Sequence, residues 1–177
     1  MACLPMTPTS RLVYDSGYVA AGTTIDTTAL TAGEAPYAEV FTLPTVNTTT
    51  SQMVELLQLH IRETAGSGTA KKADLQVLFY VTSAPTTPTA GAAYNASVTN
   101  LVASAKVVTA DYYRIAEGAT PIWEARVKPE VWYQTAAGTS NVTSLFAVVV
   151  AAGAVTYAAG DTHALRIITA QNEQVVG

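Results

Sequence analysis

Residues 53–63 carry the pattern that most constrains how this chain can fold. Leu57, Leu59 and Ile61 fall on one face of an extended strand, and Gln58, His60 and Arg62 fall on the other. A period of two is typical of a β-strand that has one face in a core and the other toward solvent. The segment therefore predicts a half-buried strand and, with it, a sheet.

Short β-rich runs separated by turn residues continue along the rest of the chain. We predict strands at residues 12–14, 38–43, 53–63, 74–82, 107–115, 122–127, 131–135, 143–151 and 164–170. In the run 74–82, the side chains expected to face inward are Leu75, Val77, Phe79 and Val81. The run 143–151 is apolar throughout, which indicates a strand buried on both faces. Apolar residues at three- and four-residue spacing in 92–105 predict one short helix.

These elements predict an all-β fold, namely a jelly-roll-like antiparallel β-sandwich with one short helix and an extended N-terminal arm. Residues 1–10 contain two prolines and no periodicity. We expect them to form an arm that gains order only against another surface. No Pro/Gly/Ser-rich linker divides the remainder, so residues 11–177 are predicted to form a single β-sandwich domain.

Charged residues make up only 12% of the chain, about half the share in an average soluble protein. Thr, Ser, Ala, Asn and Gln take their place, and much of the surface must therefore be neutral and weakly hydrated. Such a surface suits a protein whose faces are covered by neighbours. We predict a component of an oligomer or of a larger assembly.

Charge and hydropathy argue against two classes of partner. The net charge is −4 and the nine basic residues are scattered, so no basic stripe could neutralise a nucleic-acid backbone. No run approaches the ~20 apolar residues of a membrane span. Residues 1–10 lack the pattern of a secretory signal, and the single Cys3 cannot form an intrachain disulfide. We expect neither nucleic acid nor membrane as a partner.

Candidate residues for catalysis or metal binding are few. His60 lies on the polar face of its strand, where we expect it to face solvent or pair across strands. Asp161 and His163 are two residues apart and could share a strand face, but further metal ligands are not evident, which favours a structural role. Two carboxylates that meet in space could still build a glycosidase, although no motif indicates an enzyme.

Aromatic residues cluster in the segment 112–133. The cluster comprises Tyr112, Tyr113, Trp123, Trp132 and Tyr133. Large aromatics dominate both cores and protein interfaces, and packing is the first interpretation. A platform for carbohydrate is the second.

The order of several segments resembles a known family over about two-thirds of the chain. These segments are the strands 56–63 (LLQLHIRE) and 73–80 (ADLQVLFY), the turn at 84–86, the region 93–101, the strand 145–150 (LFAVVV), and the stretches 153–158 and 161–168. In this order they resemble decoration or cement proteins encoded among tailed-phage head genes, which have a jelly-roll fold. Residues 1–10 and 110–139 do not follow the pattern.

The resemblance implies a viral structural protein that binds the outside of a phage head and stabilises contacts between major capsid subunits. It further implies the major capsid protein and copies of the chain itself, as trimers, for partners. The implied location is the capsid surface of the virion, after assembly in the host cytoplasm, and neither enzyme activity nor a cofactor is implied. We predict that the contact surface includes Leu4, Pro5, Met6, Trp123, Trp132 and Tyr133. The alternative is a receptor- or glycan-binding β-sandwich module of a tail fibre or adhesin.

Overall fold

The computed structural model describes residues 11–48, 53–66, 68–81, 83–96, 98–129, 131–134 and 142–172. Leu4, Pro5 and Met6 of the predicted arm lie outside these ranges. The described strands are β1 (Arg11–Asp15), β2 (Val19–Ala20), β3 (Ala29–Leu30), β4 (Phe41–Thr48), β5 (Met53–Thr64), β6 (Leu75–Tyr80), β7 (Leu101–Val107), β8 (Tyr112–Ala116), β9 (Ile122–Val127), β10 (Val131–Gln134), β11 (Val142–Ala151), β12 (Val155–Thr156) and β13 (Thr162–Asn172). The predicted all-β class is confirmed.

The strands form two antiparallel sheets with the strand order of a jelly roll. The larger sheet runs β1-β13-β5-β9-β8, with β10 also beside β5 and β2 beside β13. The smaller sheet runs β4-β11-β6-β7, and β3 and β12 make a separate two-stranded sheet. If β1, β4, β5, β6, β7, β9, β11 and β13 are numbered one to eight, the sheets read 1-8-3-6 and 2-7-4-5. This order is that of two Greek keys wrapped into a sandwich, and the predicted jelly-roll-like sandwich is confirmed.

The main core lies between the two sheets. Leu75, Val77, Phe79 and Val81 are all buried in it, as their alternation predicted. A second apolar cluster covers the other side of the smaller sheet. It comprises Ala35, Leu78, Tyr80, Val148 and Val150. Strand β11 is therefore buried on both faces, as predicted, and the outer side of the larger sheet is the face left to carry exposed side chains.

A β-bulge corrects the predicted alternation of β5. The register to β13 shifts between Ile168, which lies opposite Gln58, and Thr169, which lies opposite Leu56. Leu57 is the extra residue at this point. Because a bulge resets the alternation of side chains, Leu56 and Leu59 are both buried while Leu57 is half-buried. The prediction that Leu57 shares a face with Leu59 was wrong.

The helix predicted over 92–105 is also wrong. Residues Leu101–Val107 form β7, which pairs with β6, and Ala105 and Val107 are buried in the main core. An isolated short helix is only marginally stable. As a strand, the same segment gains a ladder of backbone hydrogen bonds along the open edge of β6. Among the described residues, the helical element is instead the 3₁₀ turn Thr109–Asp111, which interrupts the strand predicted over 107–115.

Candidate interaction surface on the larger sheet

The solvent side of the larger sheet, here called the outer face, brings together residues that are far apart in the sequence. The registers place Arg166 of β13 beside His60 of β5, which in turn lies beside Arg126 of β9. In the next row, Arg62 lies beside Glu124. These rows, together with the side chains that contact them, are called the charged cluster, which consists of Asp15, Tyr18, His60, Arg62, Tyr113, Glu124, Arg126 and Arg166.

Glu124 is the centre of the charged cluster and is only 3% exposed. Its carboxylate accepts hydrogen bonds from Tyr113 Oη (2.6 Å), Arg126 Nε (2.6 Å) and the Tyr18 hydroxyl. Burial by itself would raise the pKa of Glu124, but the hydrogen bonds from Tyr113, Tyr18 and Arg126 outweigh it and hold the pKa at about 2. Glu124 is therefore an anion at neutral pH and fixes the position of the groups around it.

Three guanidinium groups of the cluster lie over aromatic rings, and two of them, those of Arg62 and Arg126, also pair with Glu124. The Cζ atom of Arg62 lies 3.7 Å from the centroid of the Tyr18 ring, and that of Arg126 lies 5.1 Å from the Tyr113 ring. Arg166 donates to Asp15 through both Nε (2.8 Å) and a terminal nitrogen. Stacking and ion pairs of this kind hold arginines in fixed directions, and the two carboxylates offset part of the charge of the three arginines.

His60 belongs to the same cluster and is buried rather than solvent-facing. Its Nε2 lies 2.9 Å from Gln58 Oε1, and its Nδ1 lies 3.3 Å from Glu124 Oε1 on the neighbouring strand. Burial lowers the pKa of His60, while the Glu124 charge opposes that effect. The cross-strand pairing that the alternation allowed is the form that the structure adopts.

The other end of the outer face carries apolar side chains. Val13, Ala170, Glu55 and Trp132 lie side by side on four adjacent strands. Val13 is 55% exposed, Trp132 is 46% exposed, and Met53 on β5 is 49% exposed. These three side chains are called the apolar strip below. Trp132 thus lies where an interface residue must lie, on the surface.

The structure separates the other two aromatic residues predicted for the contact surface. Trp123 is half-buried and packs against the main core. Tyr133 is buried, and its hydroxyl lies 3.1 Å from Thr45 Oγ1. Burial raises the pKa of Tyr133 to about 12. Because β10 alternates like any strand, Trp132 faces outward and Tyr133 faces the core, so the side chain of Tyr133 is not available at the surface.

Trp123 lines an open cleft at one edge of the larger sheet. The cleft has a volume of ≈ 220 Å³ and is lined by Gly68, Thr69, Ala70, Lys72, Arg114, Pro121 and Trp123. Lys72 Nζ lies 4.5 Å from the centroid of the Trp123 ring. The cleft, called the Trp123 cleft below, therefore combines an indole face with two cationic side chains.

A buried carboxylate fixes one wall of the Trp123 cleft. Glu63 is fully buried and accepts hydrogen bonds from the backbone N–H groups of Lys71 and Lys72. Lys72 has a φ of 49°, a left-handed conformation that costs energy for a residue with a side chain. Burial raises the pKa of Glu63, but nearby His163 and the two backbone donors lower it overall. The carboxylate thus holds the Lys72 backbone in place.

Asp161 and His163 make hydrogen bonds that support the fold. Asp161 accepts hydrogen bonds from the backbone N–H groups of Gly66 (2.9 Å) and Ala158 (2.8 Å). Tyr37 Oη accepts from the His163 backbone N–H (2.9 Å) and lies 2.8 Å from His163 Nδ1. Within the described ranges, no group of three or more His, Cys, Asp or Glu could hold a metal ion.

The comparisons with known proteins give only distant similarities. No family model and no curated protein matches the chain. Among solved structures it is similar to a chain of Cocksfoot mottle virus, with a TM-score of 0.29 and 13% identity, covering 92% of this chain and 85% of that one. It is also similar to a chain of the Gt strain of infectious bursal disease virus, with a TM-score of 0.20 and 14% identity, covering 96% of this chain and 44% of that one. This chain thus spans less than half of the second.

Likenesses this distant establish neither a family nor a function. The jelly-roll topology follows from the strand order of the chain itself, and that topology is found in viral capsid domains and in lectins. No helix within the described ranges is long and apolar enough to cross a membrane.

Proposed function

We propose that this chain is a viral structural protein, specifically a decoration or cement protein that binds the outside of a phage head. In this role it stabilises contacts between major capsid subunits without catalysis and without a cofactor. Its partners are the major capsid protein and other copies of itself, as the trimers implied by the family resemblance, and neither nucleic acid nor a membrane is needed. It is then located on the virion surface, having joined the head in the host cytoplasm.

The observation that carries this proposal is the apolar strip beside a cluster whose arginines are paired with carboxylates. Trp132, Met53 and Val13 are about half exposed, on a chain with only 12% charged residues. Exposed apolar patches on soluble proteins mark places where another protein docks, and tryptophan is enriched among the residues that dominate interface energies. The paired arginines impose little repulsion on a neighbour.

Binding of this kind stabilises a shell by linkage. A partner that binds only the mature shell stabilises it by about 2.7 kcal/mol per site when its concentration is a hundred times the dissociation constant. Many symmetric copies multiply this effect across the head.

The test compares heads that carry wild-type protein with heads that carry a Met53→Ser/Trp132→Ser variant. The control is Val98→Ser, because Val98 is 84% exposed but lies in the loop before β7, a strand of the smaller sheet. We expect the double variant to lower occupancy on purified heads at least tenfold and to lower the temperature at which the heads release DNA, while the control leaves both unchanged. Equal occupancy of all three proteins would contradict the proposal.

A second candidate function, binding of an acidic saccharide, is favoured by the Trp123 cleft. The Trp123 indole lines this cleft beside two cationic side chains, Lys72 and Arg114, which supply charge for a carboxylate or sulfate. The backbone of Lys72 is fixed by Glu63, which reduces the cost of ordering this wall on binding.

This candidate is tested by titrating oligouronates against the intrinsic tryptophan fluorescence. A glycan-binding module should lose affinity at least tenfold in Trp123→Ala and Lys72→Ala. It should keep its affinity in Lys106→Ala, which removes an exposed lysine of β7. The absence of any saturable change in wild-type protein would exclude the candidate.

A further inference from the structure

Strand β1 is an edge of the larger sheet that lacks the features which usually prevent pairing with another strand. Its five residues pair with β13 in an unbroken register and are all exposed. The opposite edge, β8, is interrupted by a register shift between Arg114 and Ala116. In the smaller sheet, β4 contains Pro44 and a register shift, and β7 carries Lys106 and another shift. Prolines, lysines and bulges protect edge strands, and among the described residues β1 has none of them.

The backbone groups of β1 are divided between its two sides in a defined way. The Ser16 N–H donates to the Ile167 carbonyl at 3.0 Å, and alternate residues of an antiparallel strand direct their groups to the same side. Leu12 and Tyr14 therefore direct their N–H and C=O groups to β13. Those of Arg11, Val13 and Asp15 point away from the sheet, and no described strand pairs with them.

The sequence of β1, Arg-Leu-Val-Tyr-Asp, complements itself in antiparallel orientation. With Val13 opposite Val13 of a second copy, Arg11 lies opposite Asp15 and Leu12 lies opposite Tyr14. The residues whose backbone groups point away are the ones that form hydrogen-bonded pairs in this register, giving roughly six inter-chain hydrogen bonds. Any shift by one residue loses both the charge match and the backbone match.

The side chains extend this match onto the outer face. Arg11 is already paired with Glu55, and Asp15 with Arg166. Across the two-fold axis, Arg11 of one copy meets Asp15 of the other, and alternating charges then run from Glu55 of one sheet to Arg166 of the next. On the other side of the strand, Leu12 and Tyr14, now 46% and 37% exposed, would cover each other.

We propose that two copies of this chain associate through antiparallel pairing of their β1 strands about Val13, joining the larger sheets into one continuous sheet. Two isolated copies are enough to form this contact, so it does not depend on the capsid role. It is a two-fold contact, distinct from the three-fold contact of a trimer, and in an assembly of trimers it links one trimer to the next.

The first test substitutes Val13 with proline in the full chain. Since the Val13 N–H points away from β13, Val13→Pro removes no intrachain hydrogen bond, and proline is tolerated at such edge positions. Sedimentation equilibrium should show that Val13→Pro weakens self-association about tenfold or more, through loss of the two central hydrogen bonds. Val13→Thr, which keeps the N–H, should stay within about twofold of wild type. Equal association of the proline variant and wild type would overturn the proposal.

The second test reads out the register by disulfide formation in a Cys3→Ser background. Val13→Cys places two cysteines on the dyad with Cα atoms about 5.5 Å apart, which a disulfide can span. Leu12→Cys is the matched control, because its two copies are roughly 8 Å apart in this register, beyond disulfide reach. We expect covalent dimers from Val13→Cys and not from Leu12→Cys; cross-linking of both or of neither contradicts the register.

Deletion of residues 1–10 decides whether a second copy or the preceding segment of the same chain occupies the edge. Unchanged cross-linking through Val13→Cys supports the second copy. A several-fold increase after the deletion would show that residues 1–10 cover β1 in the full chain, and would overturn the proposal.

Discussion

Replacement of Glu124 by glutamine tests whether a single buried anion organises the outer face. The side chain keeps its shape, but it loses the charge that accepts hydrogen bonds from Tyr18, Tyr113 and Arg126. The pKa of Glu124 is about 2 in the folded chain, against an ordinary value of 4.5. At about 1.36 kcal/mol per pKa unit, the carboxylate contributes about 3 kcal/mol of stability at neutral pH.

The pH dependence has a defined sign. Because folding lowers the pKa of Glu124, its contribution is fully present above about pH 4.5 and is lost as the pH falls toward 2. Wild type should therefore exceed Glu124→Gln by about 2–3 kcal/mol at pH 7 and approach it near pH 2. At a typical urea dependence of about 2 kcal/mol per molar, the midpoint at pH 7 falls by roughly 1–1.5 M.

Urea unfolding followed by tryptophan fluorescence at pH 7, 4 and 2.5 measures this difference. Glu117→Gln is the control, since its side chain is 82% exposed and pairs with Arg114 alone among the described residues, an arrangement of little energetic value. A gap between wild type and Glu124→Gln below about 0.5 kcal/mol at pH 7, or one that stays constant down to pH 2.5, would refute the reasoning.

Three further substitutions test the core and the loop beside the Trp123 cleft. Tyr37→Phe leaves the backbone N–H and the Nδ1 atom of His163 without a partner and should lower the free energy of unfolding by about 2–4 kcal/mol, measured by thermal unfolding. Tyr112→Phe should lower it little, because the Tyr112 hydroxyl has no hydrogen-bond partner among the described residues. Leu59→Ala should cost about 2–5 kcal/mol by urea unfolding; equal loss from Leu57→Ala would refute the assigned bulge. Gly66→Ala should destabilise the fold by more than about 2 kcal/mol, because a Cβ there would overlap the neighbouring backbone; an unchanged melting temperature would refute that close approach.

Alternation and apolar runs were enough to predict the fold class and most strands. The strand 122–127 was predicted to the residue, and the inward face of β6 was predicted in full, because in both segments the local pattern and the tertiary packing agree. The bulge at Leu57 could not be predicted, since it depends on the register between two strands more than a hundred residues apart. The prediction of a helix over 92–105 was wrong because the edge of β6 offers strand pairing, and a rule based on local residue spacing cannot detect such a partner.

The charged cluster was missed, although part of its signal was present. Arg62 was assigned to the polar face of β5, and Glu124 and Arg126 alternate in β9 in the same way. Their meeting depends on which strands are neighbours and in which register, and that information is not local. Glu63 could not be assigned a role from the sequence either. It is a carboxylate at an inward-facing position, and its role is explained by the hydrogen bonds that it accepts from the backbone N–H groups of Lys71 and Lys72.

A reconstruction of the assembled particle tests the central claim most directly. The account predicts that cryo-electron microscopy of heads carrying this protein shows it on the outside, with the apolar strip in contact with a capsid subunit or another copy. The opposite result, in which every copy turns Trp132 and the rest of the outer face toward solvent, would contradict it.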